Sequence, residues 1–132
     1  MAAIHIDIPL NTPAQTAWDA VRDVGAIHTR LARGFVTDTQ LEGDSRVVTF
    51  ANGFVAREAI IDLDDKRRRL AYSVRSEALE HHHASIEIVE GVDGRARMIW
   101  QADLKPDSAA ERIEPMMQAG AKAMQATLEG VV

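Results

Sequence analysis

The sequence predicts an α+β protein: a curved antiparallel sheet of seven strands wrapped around one long C-terminal helix, with two short helices between the first and second strands. Three observations carry this expectation. From Phe35 to Leu104 apolar residues alternate with period two, in runs separated by tight turn signals. Connections that short join antiparallel neighbours, so the runs form a meander. The one long stretch at helical period is Pro106–Gly130, and a helix with a single apolar face needs a sheet to cover it.

In chain order, Ile4, Ile6 and Ile8 alternate with His5 and Asp7, which predicts a half-buried strand ending at Pro9. Asn11 or Thr12 then caps a helix with Pro13 in its first turn, and Ala14, Ala17, Trp18 and Val21 form its apolar stripe. A second short helix or turn covers Val24 to Ala32. Strands follow at Phe35–Leu41, Arg46–Ala51, Phe54–Leu63, Leu70–Ser76, His82–Val89 and Ala96–Leu104. Between them lie the turn signals Glu42-Gly43-Asp44, Asn52-Gly53, Asp64-Asp65-Lys66 and Gly91-Val92-Asp93-Gly94. Adjacent Ile60 and Ile61 place a bulge or a change of face in the fourth strand. In the last stretch Ser108 and Glu111 have capping-box spacing, and Pro115 either kinks the helix or opens a second segment. Ile113, Met117, Gly120, Ala121, Met124 and Leu128 share one face, rich in Met and very small residues, and Gly130 is placed to end the helix. With no repeat, low-complexity tract or linker, residues 1–132 read as a single domain.

Composition narrows the function. The chain has no cysteine, which excludes disulfides and thiolate metal sites. Its net charge of −5 argues against nucleic acid as the main partner. The basic run Lys66-Arg67-Arg68-Arg69 follows three aspartates and reads as a solvated hairpin. The N-terminus lacks the pattern of a signal peptide and no stretch is long enough for a membrane span, so a cytoplasmic monomer or homodimer is expected. No G-x-S-x-G or phosphate-binding glycine loop is present, which argues against covalent catalysis and nucleotide use, and no cofactor is expected.

Alternation assigns side-chain direction on three strands. Leu70, Tyr72 and Val74 share one face, as do His82, Ala84, Ile86 and Ile88, and Met98, Trp100, Ala102 and Leu104. The turn after Phe50 leaves two registers open. A three-residue Ala51-Asn52-Gly53 turn sets Arg46 opposite Glu58, whereas a two-residue turn sets Val47 there. His81 and His83 point outward at a spacing that suits two metal ligands, but His5 and His28 do not converge on them, so no metal site is expected.

The element order and a series of local motifs resemble the START/SRPBCC superfamily of helix-grip proteins. These motifs are Trp18 with Val21-Arg22-Asp23, Val24-Gly25-Ala26-Ile27-His28, Gly43-Asp44-Ser45-Arg46-Val47-Val48, Asn52-Gly53-Phe54-Val55-Ala56-Arg57-Glu58, Arg69-Leu70-Ala71-Tyr72-Ser73-Val74 and Met117-Gln118-Ala119-Gly120. That superfamily includes birch-pollen-allergen-like proteins and the bacterial polyketide cyclase/dehydrase and lipid-transport family. The resemblance implies a cavity between the long helix and the sheet, with Val48, Phe50 and Glu58 on the cavity side, and so favours the three-residue turn. It also looks like the small proteins related to plant abscisic-acid receptors, with the Asn52-Gly53 hairpin as gate and the stretch from Glu80 to His83 as latch. The sequence has neither the proline-bearing gate nor the cavity lysine of those receptors, so hormone recognition does not carry over.

The expected ligand-contacting residues are therefore Arg46, Val48, Phe50, Glu58, Tyr72, His82, Trp100, Met117, Gly120 and Met124, with Glu58, His82 and Tyr72 as candidate acid–base groups. Arg46–Glu58 serves either as a register-fixing cross-strand pair or as a polar anchor in a half-dry pocket. His82 is either a satisfied rim residue or a pH-sensitive ligand contact. The leading expectation is a carrier or binder of a small, largely apolar ligand: lipid, polyketide-like or aromatic. A cyclase/dehydrase-like enzyme using non-covalent acid–base catalysis is the alternative, and an interaction module with a collapsed cavity is a further one.

Overall fold

A computed structural model describes residues 2–76 and 79–130. Strand β1 (Ala2–Pro13) leads into helix α1 (Ala14–Arg22) and a five-residue π turn (Ile27–Leu31), closed by the bond from Ala32 N–H to the Ile27 carbonyl at 2.8 Å. The meander then runs β2 (Val36–Glu42), β3 (Ser45–Phe50), β4 (Val55–Asp64), β5 (Arg69–Arg75), β6 (His81–Glu90) and β7 (Arg95–Lys105). A short 3₁₀ turn (Asp107–Ala109) precedes helix α2 (Ala110–Leu128). All seven strands form one antiparallel sheet in the order β1-β7-β6-β5-β4-β3-β2, and α2 lies across its concave face.

The alternation expected of β7 is complete: Ala96, Met98, Trp100, Ala102 and Leu104 are buried while Arg95, Arg97, Gln101 and Asp103 are exposed. Strand β4 carries the expected bulge, with its register against β5 shifting between Ile60 and Asp62, so that Ile61 turns outward. Facing the sheet, α2 buries Met117, Gly120, Ala121 and Met124.

Three expectations at element ends are corrected. Strand β1 does not stop at Pro9 but runs to Pro13, with Leu10 and Thr12 keeping their side chains inward. It is an edge strand, where a missing proline N–H costs no ladder bond, and the register simply shifts between Pro9 and Pro13. Pro13 is consequently the cap position of α1 rather than a first-turn residue, and neither Asn11 nor Thr12 caps the helix. The Ala14 N–H donates instead to the Gly94 carbonyl at 3.3 Å. Nor do Ser108 and Glu111 form a capping box: the 3₁₀ turn takes that place, and Ala110 N–H donates back to the carbonyls of Asp107 and Ser108. Pro115 sits inside a continuous α2 and on its exposed side, so it neither divides nor ends the helix.

Candidate ligand cavity

The polar centre of the concave face is set by the register of β3 against β4. Arg46 pairs with Glu58 and Val48 with Ala56, and the Phe50 N–H donates to the Phe54 carbonyl across the Ala51-Asn52-Gly53 turn. Gly53 has φ +89°, a left-handed conformation that glycine adopts without strain. Arg46 Nε donates to Glu58 Oε1 at 2.8 Å, and both side chains are withdrawn from solvent, with 4% and 9% of their surface exposed. Arg46 Nη1 also donates to the Val24 carbonyl at 3.3 Å, and its guanidinium carbon lies 5.1 Å from the centre of the Tyr72 ring. Two charges so deeply buried persist only because each neutralises the other and the donors find acceptors.

Beside this pair the Trp100 indole N–H donates to the Tyr72 hydroxyl at 2.9 Å. Burial pushes the phenol pKa upward, with the nearby Glu58 carboxylate adding to it, so Tyr72 keeps its proton at physiological pH. The Tyr72 oxygen accepts from Trp100, and its own O–H donates to no acceptor among the described residues.

Between these groups and α2 the protein leaves two small chambers. The outer one, about 80 Å³, is bounded by Phe54, Val74, Leu79, His82, Ile113 and Met116, among others. The inner one, about 50 Å³, is bounded by Ile27, Leu31, Arg46, Val48, Ile86 and Met124. Phe35, Phe50, Glu58, Tyr72 and Trp100 line both, so they form the throat between the chambers. The rings of Phe35 and Phe50 meet edge to face with centroids 5.5 Å apart, and Phe54 stacks obliquely on Phe50 at 5.9 Å. Phe35, Phe50 and Met116 also wall off an apolar surface groove against Asn52 and Pro115.

His82 stands at the rim of the outer chamber at the start of β6, opposite Leu104 of β7. Its Nδ1 is buried and has no hydrogen-bond partner. Burial, reinforced by His81 and His83, pushes its pKa down to about 4, so the ring is neutral at physiological pH. The rings of His81 and His83 stack outside at 6.4 Å. No group of three or more His, Asp or Glu side chains among the described residues is placed to hold a metal ion.

Residues 1–131 match the family model described as polyketide cyclase / dehydrase and lipid transport. The chain belongs to this family. No curated protein matches it in sequence. Among solved structures, the protein XoxI from Bacillus cereus superposes with a TM-score of 0.85 at 17% identity, over 97% of this chain and 96% of that one. A START superfamily protein from Mycobacterium smegmatis gives 0.81 at 10% identity, over 98% and 99%. A point mutant of norcoclaurine synthase from Thalictrum flavum, in complex with a transition-state analogue, gives 0.67 at 19% identity, over 96% and 93%. At such identities the likeness is one of fold: the helix-grip arrangement of a seven-stranded antiparallel sheet around a long C-terminal helix.

In this family member the structure gathers Phe50, Glu58, Tyr72, His82, Trp100 and Met117 around the outer chamber, and Arg46, Val48 and Met124 around the inner. Gly120 is a different matter. It lines neither chamber, because a Cβ there would come within 3.1 Å of the Phe35 ring and 3.3 Å of the Trp100 ring. It is a close-packing point that lets both aromatic rings lie against α2. Several lining residues have only weak sequence signals. Phe35 heads the expected strand Phe35–Leu41 but stands just before β2 in the structure, so alternation does not assign its side chain to the cavity, and Met116 lies beside Pro115, one position off the Ile113–Met117 face. What could have pointed to Phe35 is aromatic scarcity: the chain has two Trp, one Tyr and three Phe, and all but Trp18 line the outer chamber. No helix among the described residues is long and apolar enough to cross a membrane.

Proposed function

We propose that the chain binds a small, largely apolar ligand between α2 and the sheet. The observation that carries this reading is the convergence of Phe35, Phe50, Phe54, Tyr72 and Trp100 on one chamber that is also lined by Glu58, whose buried partner Arg46 lines the chamber behind it. A protein that needed only a stable core would gain by filling this space and by replacing the ion pair with apolar side chains. Placing a few convergent polar groups in an otherwise apolar concavity is instead the pattern of a ligand site. Met117 and Met124 add side chains that adapt to shape. Membership of a polyketide cyclase / dehydrase and lipid transport family supports the same reading.

A thermal-shift screen of aromatic and lipid ligands tests it. A ligand present at about a hundredfold its Kd should stabilise the protein by about 2.7 kcal/mol, raising Tm. If no compound moves Tm, the reading fails.

An enzymatic role by non-covalent acid–base chemistry is the second reading, favoured by the neutral His82 and the retained Tyr72 proton on one chamber. In it His82 takes a proton, Tyr72 donates to a developing oxyanion, and Glu58, held by Arg46, orients the substrate. Turnover lost in Glu58→Gln with binding retained would separate this role from carriage alone.

A further inference from the structure

Resting on that ligand-binding reading, we infer that the ligand is a neutral, single-ring compound carrying a hydroxyl group, held by that hydroxyl at the throat between the chambers.

Size comes first. The two chambers together are smaller than the ~150 Å³ apolar cavity that accommodates benzene in an engineered protein, and far below the ~300–1,000 Å³ of pockets for drug-sized ligands. The site has room for no more than a single ring, which the flexible Met116 and Met117 must shift to admit; an acyl chain or a fused polycycle would need far larger displacements, of Phe35 or Phe50.

Polarity decides the functional group. Glu58 and Tyr72 line both chambers and come from adjacent strands, Glu58 opposite Val74 and Tyr72 opposite Ile60, which places them as diagonal neighbours across β4 and β5. Glu58 Oε1 is taken by Arg46, which leaves Oε2 as an acceptor. The Tyr72 oxygen is taken by the Trp100 indole, which leaves its O–H as a donor. One acceptor and one donor side by side match a group that donates once and accepts once, which is a hydroxyl. The indole-to-phenol bond polarises the Tyr72 O–H and strengthens its donation.

Charge excludes the neighbouring classes. Arg46 already neutralises Glu58, so the throat has no net charge to offer. A carboxylate would face Glu58, and an ammonium would compete with Arg46 for it; either would enter a dry site without compensation for its lost hydration. A plain hydrocarbon ring fits the space but leaves both hydrogen-bonding groups unanswered.

Titration of the full-length protein with p-cresol, toluene, p-toluate and decanoate, followed by NMR, tests this. p-Cresol should bind at least about tenfold more tightly than toluene, the effect expected of a hydrogen bond to a charged acceptor, while p-toluate should not saturate. Tyr72→Phe and Glu58→Gln keep the shapes of the side chains, and NMR spectra establish that each variant is folded. Each should lower p-cresol affinity to near that of toluene measured on the same variant. Equal binding of p-cresol and toluene by the unmodified protein would overturn the inference, as would tighter binding of p-toluate or a preference for p-cresol that survives both substitutions. Binding of decanoate with no binding of any single ring would also overturn it while leaving ligand binding itself intact. Failure of every probe, together with a flat thermal screen, would remove the underlying reading instead.

Discussion

The chain's two tryptophans make the same bond to opposite ends. Trp18, on the buried face of α1, donates its indole N–H at 2.8 Å to Asp65 Oδ1 in the β4–β5 turn. Arg22 Nε donates to the same oxygen at 2.7 Å, and the Asp65 side chain is 58% exposed. Arg22 first, and Trp18 second, hold the Asp65 carboxyl below its ordinary pKa. This junction fastens α1 to the sheet: water lies on its far side and stands in for any partner that leaves. Trp100 donates to a phenol that solvent does not reach, next to a carboxylate already engaged with Arg46. There the remaining hydrogen-bonding capacity faces a space that five aromatic rings keep apolar. The same indole donor thus closes a circuit at the surface and leaves one open in the cavity. A junction has its partners; a binding site withholds one.

The largest expected break comes from Glu58→Ala, which leaves a buried guanidinium without its counter-charge. Denaturant unfolding should show a loss of about 3–5 kcal/mol. A loss below about 1 kcal/mol would mean that water reaches Arg46, and the contrast between the two sites would collapse. Next, Tyr72→Phe strands the Trp100 N–H in a dry chamber, at an expected cost of about 1–3 kcal/mol in the same measurement.

The two sites should also part company with pH. His82 is held neutral by burial in the folded chain, with its pKa near 4, whereas in the unfolded chain it takes up a proton below about 6.5. Its contribution is therefore complete above pH 6.5 and is lost as pH falls toward 4, because the unfolded state binds the extra proton. Replacing His82 with Gln should flatten the stability profile across that window. The Asp65 contribution persists there and is lost only below its ordinary carboxylate range. Asp65→Asn is the smallest change expected by denaturation, since solvent and Arg22 remain at hand. If it costs as much as Tyr72→Phe, exposure is not what separates the two tryptophans.

The lattice of the fold was legible wherever period-two alternation met a readable turn. β5, β6 and β7 show their faces in Tyr72, Ile86 and Trp100, and the Asn52-Gly53 turn, with the family resemblance, gives Arg46 opposite Glu58. Legibility fails at ends and over distance. Pro9 reads as a stop only if its strand is central, and edge position is a property of the assembled sheet. The Ser108–Glu111 spacing is right for a cap, but the 3₁₀ turn already occupies the donors. Met117 and Gly120 lie on the same helix face, yet one bounds the chamber while the other is pressed against Phe35 and Trp100. That distinction depends on ring positions contributed by distant strands. The division into two chambers depends on them too, since Phe35 and Phe50 stand in the throat.

The hairpin between β3 and β4 carries a consequence that no single side chain does. Pairing there runs symmetrically about Asn52, so even-numbered residues of both strands share the concave face: Arg46, Val48 and Phe50 with Ala56 and Glu58. Close the same sequence on a two-residue Asn52-Gly53 turn and the register slips by one: Val47 then stands opposite Glu58, and Arg46, Val48 and Phe50 turn away from the face that Glu58 occupies. The ion pair and the throat would vanish together, with every side chain still present in the sequence. What the cavity can recognise is written in the parity of a loop's length as much as in the identities of its walls.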